Sequence, residues 1–293
     1  MKFGLMFANV GPFATPVGAE AVGKAAEAAQ FDSIWTVEHV LIPVGYESEY
    51  PYDKSGKMPG ATDADLPDPL IWLAFVAAHT NTVKLATGIL IVPQRNPGVL
   101  AKEVATLDVL SGGRMILGVG AGWLEEEFDA LGIPFAERGR RLDDHIGAMR
   151  ALWQNEEASF DGPFTNYANV VSRPAPIHGT VPIVVGGHSE AAARRAGRLG
   201  DGFFPGKGSP TKLAELLSVM RQAADDAGRD PELIEVTASS PAIFAPDPRP
   251  GLEELAALGV SRVIVPPLSF DPTAIGDALG AFGERVVGPL ADL

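Results

Sequence analysis

The chain is 293 residues long, and its composition and charge exclude several classes of protein and site. It contains no cysteine, which excludes disulfides, thiolate nucleophiles and cysteine-based metal or iron–sulfur centres. The formal net charge of −14 makes nucleic acid an unsuitable partner, because phosphate binding needs a basic surface. No apolar stretch is long enough to cross a membrane, so we expect a cytoplasmic protein without a membrane span.

Strand-like and helix-like segments alternate along the chain. A helix-like segment follows each predicted strand; after the third strand, Leu100, Val104 and Leu107 share one helical face. A serine and two glycines at 111–113 then end that helix. Strict alternation predicts parallel strands joined by right-handed crossovers. The predicted strands cover residues 2–8, 33–39, 83–89, 114–119, 182–187, 202–205, 234–239 and 262–265.

The repeated strand–helix pattern predicts a (β/α)8 TIM barrel in which residues 1–293 form a single domain. An open doubly wound sheet is the alternative, but no GxGxxG sequence follows the first strand. Two insertions interrupt the pattern, one at 40–66 after strand 2 and a hairpin at 157–172 between helix 4 and strand 5. The tyrosine-rich first insertion is interpreted as a substrate lid, or alternatively as a disordered surface loop.

The residues that follow the strands are the candidates for a functional site, because barrel enzymes place their chemistry at that face. Glycine recurs in four of these segments, where it either lets the backbone approach a planar ligand or makes an ordinary turn. Recurrence on one rim favours the floor of a cofactor site. The candidates are Glu38, His39, Gly88, Ile89, Gly120, Ala121, Gly122, Trp123, Gly186, Gly187, His188, Gly206 and Lys207.

Two of these segments indicate specific chemistry. His39 follows an apolar strand and is either a general acid or base, or a hydrogen-bonded structural histidine. Residues 186–189 open a helix with Ser189 as the predicted N-cap, and the free N–H groups there suit a phosphate. Lys207 on the next loop either adds positive charge or lies in solvent. The spacing of the histidines does not indicate a metal site.

Four sequence blocks carry a resemblance to a known family. They are FDSIWTVEHVLIP, TGILIVPQRNPGVLAKEVATLDVLSGGRMILGVGAGW, EFDALGIPFAERGRRLDDHI and PIVVGGHSEAAARRAGRLGDGF. Together they closely resemble the luciferase-like monooxygenase superfamily, and they are most similar to its branch of oxidoreductases that depend on the deazaflavin coenzyme F420. The resemblance covers about residues 1–206, and the rest of the chain matches mainly in pattern.

The resemblance implies roles for the candidate residues around a flavin-type ring. A non-proline cis peptide bond, here Gly88-Ile89, is expected behind the ring, and His39 is expected near the redox-active carbon. Trp123 departs from the family pattern, because the sugar-phosphate dehydrogenase branch has a glutamate at this position, which argues against sugar-phosphate oxidation. Trp123 is instead expected to stack on a ring or to shape an apolar pocket. The polar edge of the ring is assigned to Gly120, Ala121 and Gly122, and the ribityl phosphate to the N–H groups of Gly186, Gly187 and His188.

The resemblance leaves three functions open. The first is an F420-dependent oxidoreductase that moves hydride between the cofactor and a small organic substrate. The second is an FMN-dependent two-component monooxygenase supplied with reduced flavin by a separate reductase. The third is a non-catalytic flavin-binding barrel. A homodimer is expected, and the sequence does not identify the substrate.

Overall fold

Eight parallel strands form the centre of the computed structural model, which describes residues 1–60, 63–206 and 209–293. Each strand is three to six residues long and almost entirely buried. In chain order they are β1 (Lys2–Leu5), β2 (Ser33–Thr36), β3 (Lys84–Thr87), β4 (Met115–Gly120), β5 (Ile183–Gly186), β6 (Gly202–Phe204), β7 (Glu235–Ser239) and β8 (Val260–Val265).

Pairing between the strands closes the sheet into a barrel. β1 lies between β8 and β2, and the order continues around the sheet to β3 and β4. Closure comes from β3 and β4, where Leu85 is opposite Met115. The predicted (β/α)8 barrel is therefore confirmed, and the open doubly wound sheet is wrong.

Eight main helices of the described residues surround the barrel. Leu100, Val104 and Leu107 on α3 are buried as their spacing predicts, and Gly112 ends that helix with a left-handed φ of 74°. Within the described ranges, no helix has both the length and the apolar character needed to span a bilayer. The helices are α1 (Pro16–Ala28), α2 (Pro69–Ala77), α3 (Pro97–Ser111), α4 (Arg138–Gln154), α5 (Glu190–Leu199), α6 (Pro210–Asp226), α7 (Arg249–Ala257) and α8 (Ile275–Phe282).

Both predicted insertions are present. The segment from 40 to 66 contains no helix or strand among its described residues, and it runs across the barrel mouth. Strands Ala158–Asp161 and Asn166–Val170 form the predicted antiparallel hairpin after α4. A short helix, Glu125–Ala130, follows β4.

The first two strands are shorter than predicted. They end at Leu5 and Thr36, and irregular segments continue to the barrel mouth. Beyond the strand ends, the Asn9 side chain makes the hydrogen bonds that join the two segments. Its amide group donates to the Val37 carbonyl and its oxygen accepts from the Val37 N–H, both at 2.9 Å. An apolar sequence run alone therefore overestimated the strand length.

A charged network closes the barrel at the face opposite the mouth. The Arg262 side chain is fully buried, and its guanidinium is 2.8 Å from Asp32 and 3.2 Å from Glu235. Lys84 lies 3.2 Å from the other Asp32 oxygen, and Lys2 pairs with Glu235. Burial works to raise the pKa values of both acids, but these cations outweigh it and hold both pKa values below their ordinary range.

Candidate functional site

The candidate residues line one cavity of about 1090 Å³ at the carboxyl ends of the strands. Gly206 is the exception among the described candidates, and it packs instead against the ring of Tyr52, a cavity residue. Lys207 lies outside the described residues. The other candidates all line the cavity: Glu38, His39, Gly88, Ile89, Gly120, Ala121, Gly122, Trp123, Gly186, Gly187 and His188.

The floor of the cavity is built around the Gly88-Ile89 peptide bond, which is cis as the resemblance implied. Gly88 sits directly against Trp35, since a Cβ there would lie 3.0 Å from the indole. A Cβ on Gly120 or Gly186 would collide with the Ile89 side chain. These two glycines therefore make room for Ile89, a role that the sequence did not indicate.

His39 is held by a buried carboxylate. Its Nδ1 lies 3.0 Å from Oε2 of Glu127, and the two side chains are 8% and 0% exposed. The other oxygen of Glu127 accepts from the N–H groups of Val40 and Leu41, at 2.6 and 3.1 Å. This arrangement fixes the imidazole and keeps a negative charge beside it, as a general acid or base requires.

Burial and hydrogen bonding oppose each other at Glu127. Burial works to raise its pKa, but the hydrogen bond from His39 and those from the backbone outweigh burial and hold the pKa below its usual range. The adjacent Glu126 accepts from the N–H groups of Glu47 and Ser48, at 2.6 and 3.0 Å. Two consecutive acids of the short helix therefore anchor both the histidine and the first insertion.

Glu38 borders the cavity, but its carboxylate is already engaged. One oxygen accepts from the Ile91 N–H at 2.6 Å, and the other is paired with Arg95. Arg95 also contacts Asp68 at 2.8 Å. The structure therefore gives the carboxylate of this candidate a part in ordering the loop after β3.

Aromatic side chains form a row across the cavity from His39 to His188. Along the row, His39 contacts Trp123, which contacts Tyr50. Tyr50 in turn contacts Tyr52, which contacts His188. Neighbouring ring centroids are 5.0–5.6 Å apart. All four contacts are edge-on, a favourable arrangement for aromatic rings. Burial, together with nearby acidic groups, raises the pKa of Tyr50 to about 12, so its hydroxyl is a donor at neutral pH. The first insertion thus packs over the cavity, which supports the lid interpretation.

The structure corrects one residue of the predicted phosphate end. The Gly187 N–H donates to the Phe204 carbonyl at 3.0 Å, so it is used within the barrel and is not available to a ligand. Ser189 is the N-cap of α5, where it accepts from the Ala192 N–H. His188 Nδ1 is buried without a hydrogen-bond partner among the described residues, and burial lowers the pKa of this histidine. A helix N-terminus and an unpaired ring nitrogen therefore face the same end of the cavity.

Three arginines, which sequence reasoning did not assign to the site, border this same end. Arg138 donates to the Gly122 carbonyl at 3.2 Å, and Arg195 is paired with Asp143. Arg140 is exposed and lies over the Phe164 ring, with no acidic partner in the described part of the chain. The sequence signal was the cluster of arginines at the start of α4, but only the fold places it beside α5.

A comparison with family models identifies one match. The model described as luciferase-like monooxygenase matches residues 1–267. The matched region contains all eight strands, the cis peptide bond and the His39–Glu127 pair.

Relatives and solved structures agree with this match. A protein of Mycobacterium tuberculosis (strain ATCC 25618 / H37Rv) is 31% identical over 295 residues, which cover 99% of each chain. An F420-dependent glucose-6-phosphate dehydrogenase of Kineococcus radiotolerans is 36% identical over 199 residues, 65% of this chain and 58% of that protein. The F420-dependent tetrahydromethanopterin reductase of Methanopyrus kandleri covers 98% of both chains with a TM-score of 0.76 and 19% identity, a likeness that shows the fold.

Proposed function

Because this chain belongs to the luciferase-like monooxygenase family and is an oxidoreductase of that family, we propose that it uses the deazaflavin coenzyme F420. In this proposal, hydride passes between the cofactor and a small organic substrate. The proposal rests on how the charged groups are distributed around one cavity. A histidine held by a carboxylate lies on one side, and arginines that could bind an anion border another side.

The size and chemistry of the cavity fit a tricyclic cofactor. Pockets for drug-sized ligands have volumes of roughly 300–1000 Å³, so about 1090 Å³ has room for a ring system and a second molecule. The unpaired Nδ1 of His188 and the N-terminus of α5 suit a phosphate, while Arg138 and Arg140 suit further negative charge beyond it. F420 carries both a phosphate and an acidic glutamate tail, and when bound it supplies two-electron hydride chemistry.

His39 supplies the accompanying proton in this proposal. Its Nδ1 is committed to Glu127, which leaves Nε2 as the ring nitrogen that exchanges a proton with the substrate. Nδ1 stays bonded to the buried carboxylate of Glu127, so the ring keeps its orientation while Nε2 gains or loses the proton. The aromatic row from Trp123 to Tyr52 limits the access of water to that nitrogen.

Cofactor binding tests the proposal directly. We expect the purified protein to change the fluorescence of F420 on titration, and to bind FMN at least about tenfold more weakly, because FMN lacks the acidic tail that the arginines would meet. Tight FMN binding without F420 binding would contradict the proposal and favour the two-component monooxygenase. Addition of reduced FMN and oxygen then measures that rival activity.

We also propose two partners, a second copy of the chain and a separate flavin reductase. α2 presents Ile71 and Phe75 to solvent, and Ile71 is 75% exposed. Apolar groups on the outside of a helix are suited to contact between two copies of the chain. Light scattering of the purified protein and of its Ile71→Asp variant measures whether a homodimer forms.

A coupled assay with and without a flavin reductase measures whether a separate reductase is required.

A further inference from the structure

The cavity has an apolar side that the cofactor proposal does not use. Its aliphatic and aromatic groups come from the segments after β1, β2 and β8, which are neighbours in the barrel. Phe7 is 40% exposed and Phe270 is 50% exposed, so both present large apolar surfaces to the cavity. We call this side the apolar bay, and it consists of Phe7, Val10, Ile42, Leu66 and Phe270.

The backbone and its neighbours hold the bay in shape. Phe7 has a φ of 57°, a conformation that bulky residues rarely adopt and that is often found at functional sites. The ring of Phe270 stacks on the buried Phe13, with centroids 5.9 Å apart and planes 26° apart. Gly11 donates to the Asp65 carbonyl at 3.4 Å, which ties the first insertion to the segment after β1. The bay is thus an ordered surface formed by parts of three loops.

The charges around the cavity are separated between its two sides. Arg138, Arg140 and Arg195 follow β4 and β5, which lie across the barrel from β1. Next to the bay, Glu38 is neutralised by Arg95, and Asp65 is exposed with no cationic partner in the described ranges. An anion in the bay would therefore meet an uncompensated negative charge and an apolar wall that cannot hydrate it.

We infer that the apolar bay binds the substrate, and that the substrate is an uncharged, apolar small molecule whose single polar group faces His39. This inference rests on the proposed function, because it assigns the cationic side of the cavity to the cofactor. His39 lies on the segment after β2, as Ile42 and Leu66 of the bay do, and it lines the same cavity. A phosphorylated or carboxylated substrate would require a cation in the bay, and the described residues of the bay offer none.

A pair of probes with the same skeleton tests the inference. We expect calorimetry on the F420-saturated protein to give at least about tenfold tighter binding of 4-phenyl-2-butanone than of 3-phenylpropanoate, because the carboxylate would be desolvated beside Asp65. Phe270→Asp should weaken binding of the ketone by about tenfold or more. Phe244→Asp is the matched control: Phe244 is 53% exposed, does not line the cavity, and should change ketone binding less than about twofold.

Three results would overturn the inference: equal or tighter binding of the carboxylate, equal effects of the two phenylalanine variants, or no ketone binding up to about 10 mM. F420 is titrated separately, and ketone binding is repeated without it. If F420 binds but the two variants behave alike, the substrate inference fails and the cofactor proposal stands. If F420 does not bind while the ketone preference persists, the cofactor proposal fails and the bay retains its assigned ligand class.

Discussion

The Nδ1 of His39 lies 3.0 Å from a carboxylate oxygen of Glu127, a residue 88 positions further along the chain. The contact joins the segment after β2 to the short helix after β4, and the carboxylate is fully buried. Glu127 is not among the residues that line the cavity and its side chain is fully buried, so we regard it as a positioning residue. It acts through the orientation and the charge of His39.

Glu127→Gln should lower kcat by about 100-fold while cofactor affinity is retained. Glutamine can still accept from the N–H groups of Val40 and Leu41, but it removes the carboxylate charge that faces the imidazole. Steady-state kinetics measures kcat and a fluorescence titration measures the Kd of the cofactor. An unchanged kcat would remove the positioning role from Glu127.

His39→Gln should reduce turnover by about 10²–10³-fold, because the proton that accompanies hydride transfer loses its carrier. The Kd for the cofactor should stay within about twofold, since His39 holds no phosphate. His79→Gln is the control, because His79 lies outside the barrel, near Glu20 on α1. Unchanged turnover in the His39 variant would remove its assigned role.

Arg140→Gln should weaken binding of F420 with several glutamates by about 2–5-fold, which corresponds to ~0.5–1 kcal/mol for one exposed charge. Tail-less deazaflavin should bind both proteins equally, because Arg140 lies at the rim of the cavity. The difference should also shrink as salt is added. Arg249→Gln on α7 is the matched control, since Arg249 pairs with Glu253 and does not line the cavity. If the variant lost affinity equally for F420 and for the tail-less deazaflavin, the glutamate tail would not lie near Arg140.

Gly120→Ala should destabilise the protein by about 1–3 kcal/mol, because the new methyl group overlaps the Cδ1 of Ile89. Ile89→Val removes that carbon, after which the nearest Ile89 carbon to the new methyl group is 3.1 Å away. The double variant should therefore recover most of the loss. Denaturant unfolding of the wild type, both single variants and the double variant measures the coupling. Additive losses would mean that Gly120 does not make room for Ile89.

The spacing of apolar residues was sufficient to predict the barrel, but it did not predict which side chains pair with each other in the site. Leu100, Val104 and Leu107 are predicted to be buried because helix geometry requires it locally. The pairing of His39 with Glu127 depends on contacts across two loops, and no local pattern in the sequence encodes it. Glu127 is one of three consecutive glutamates, so the sequence alone does not distinguish the buried acid from its neighbours.

Arg262→Met should lower the free energy of unfolding by about 3 kcal/mol at neutral pH, because it leaves Asp32 and Glu235 without their shared buried cation. The estimate is at the low end for a broken buried pair, since Glu235 is partly exposed and both acids keep a lysine partner. Strand β8 carries this arginine in a mostly apolar run, and methionine has a similar length, so the barrel should still form.

The pH dependence of unfolding distinguishes this electrostatic effect from a packing defect. The pKa values of Asp32 and Glu235 lie below their ordinary values of 3.8 and 4.5, so both acids stabilise the fold above those values. That contribution is lost as the pH falls through the lowered values, and the wild type should therefore lose stability in acid faster than Arg262→Met. Urea unfolding at neutral pH and at a series of acidic pH values measures the difference. A constant gap between the two proteins across the series would instead assign the whole loss to packing.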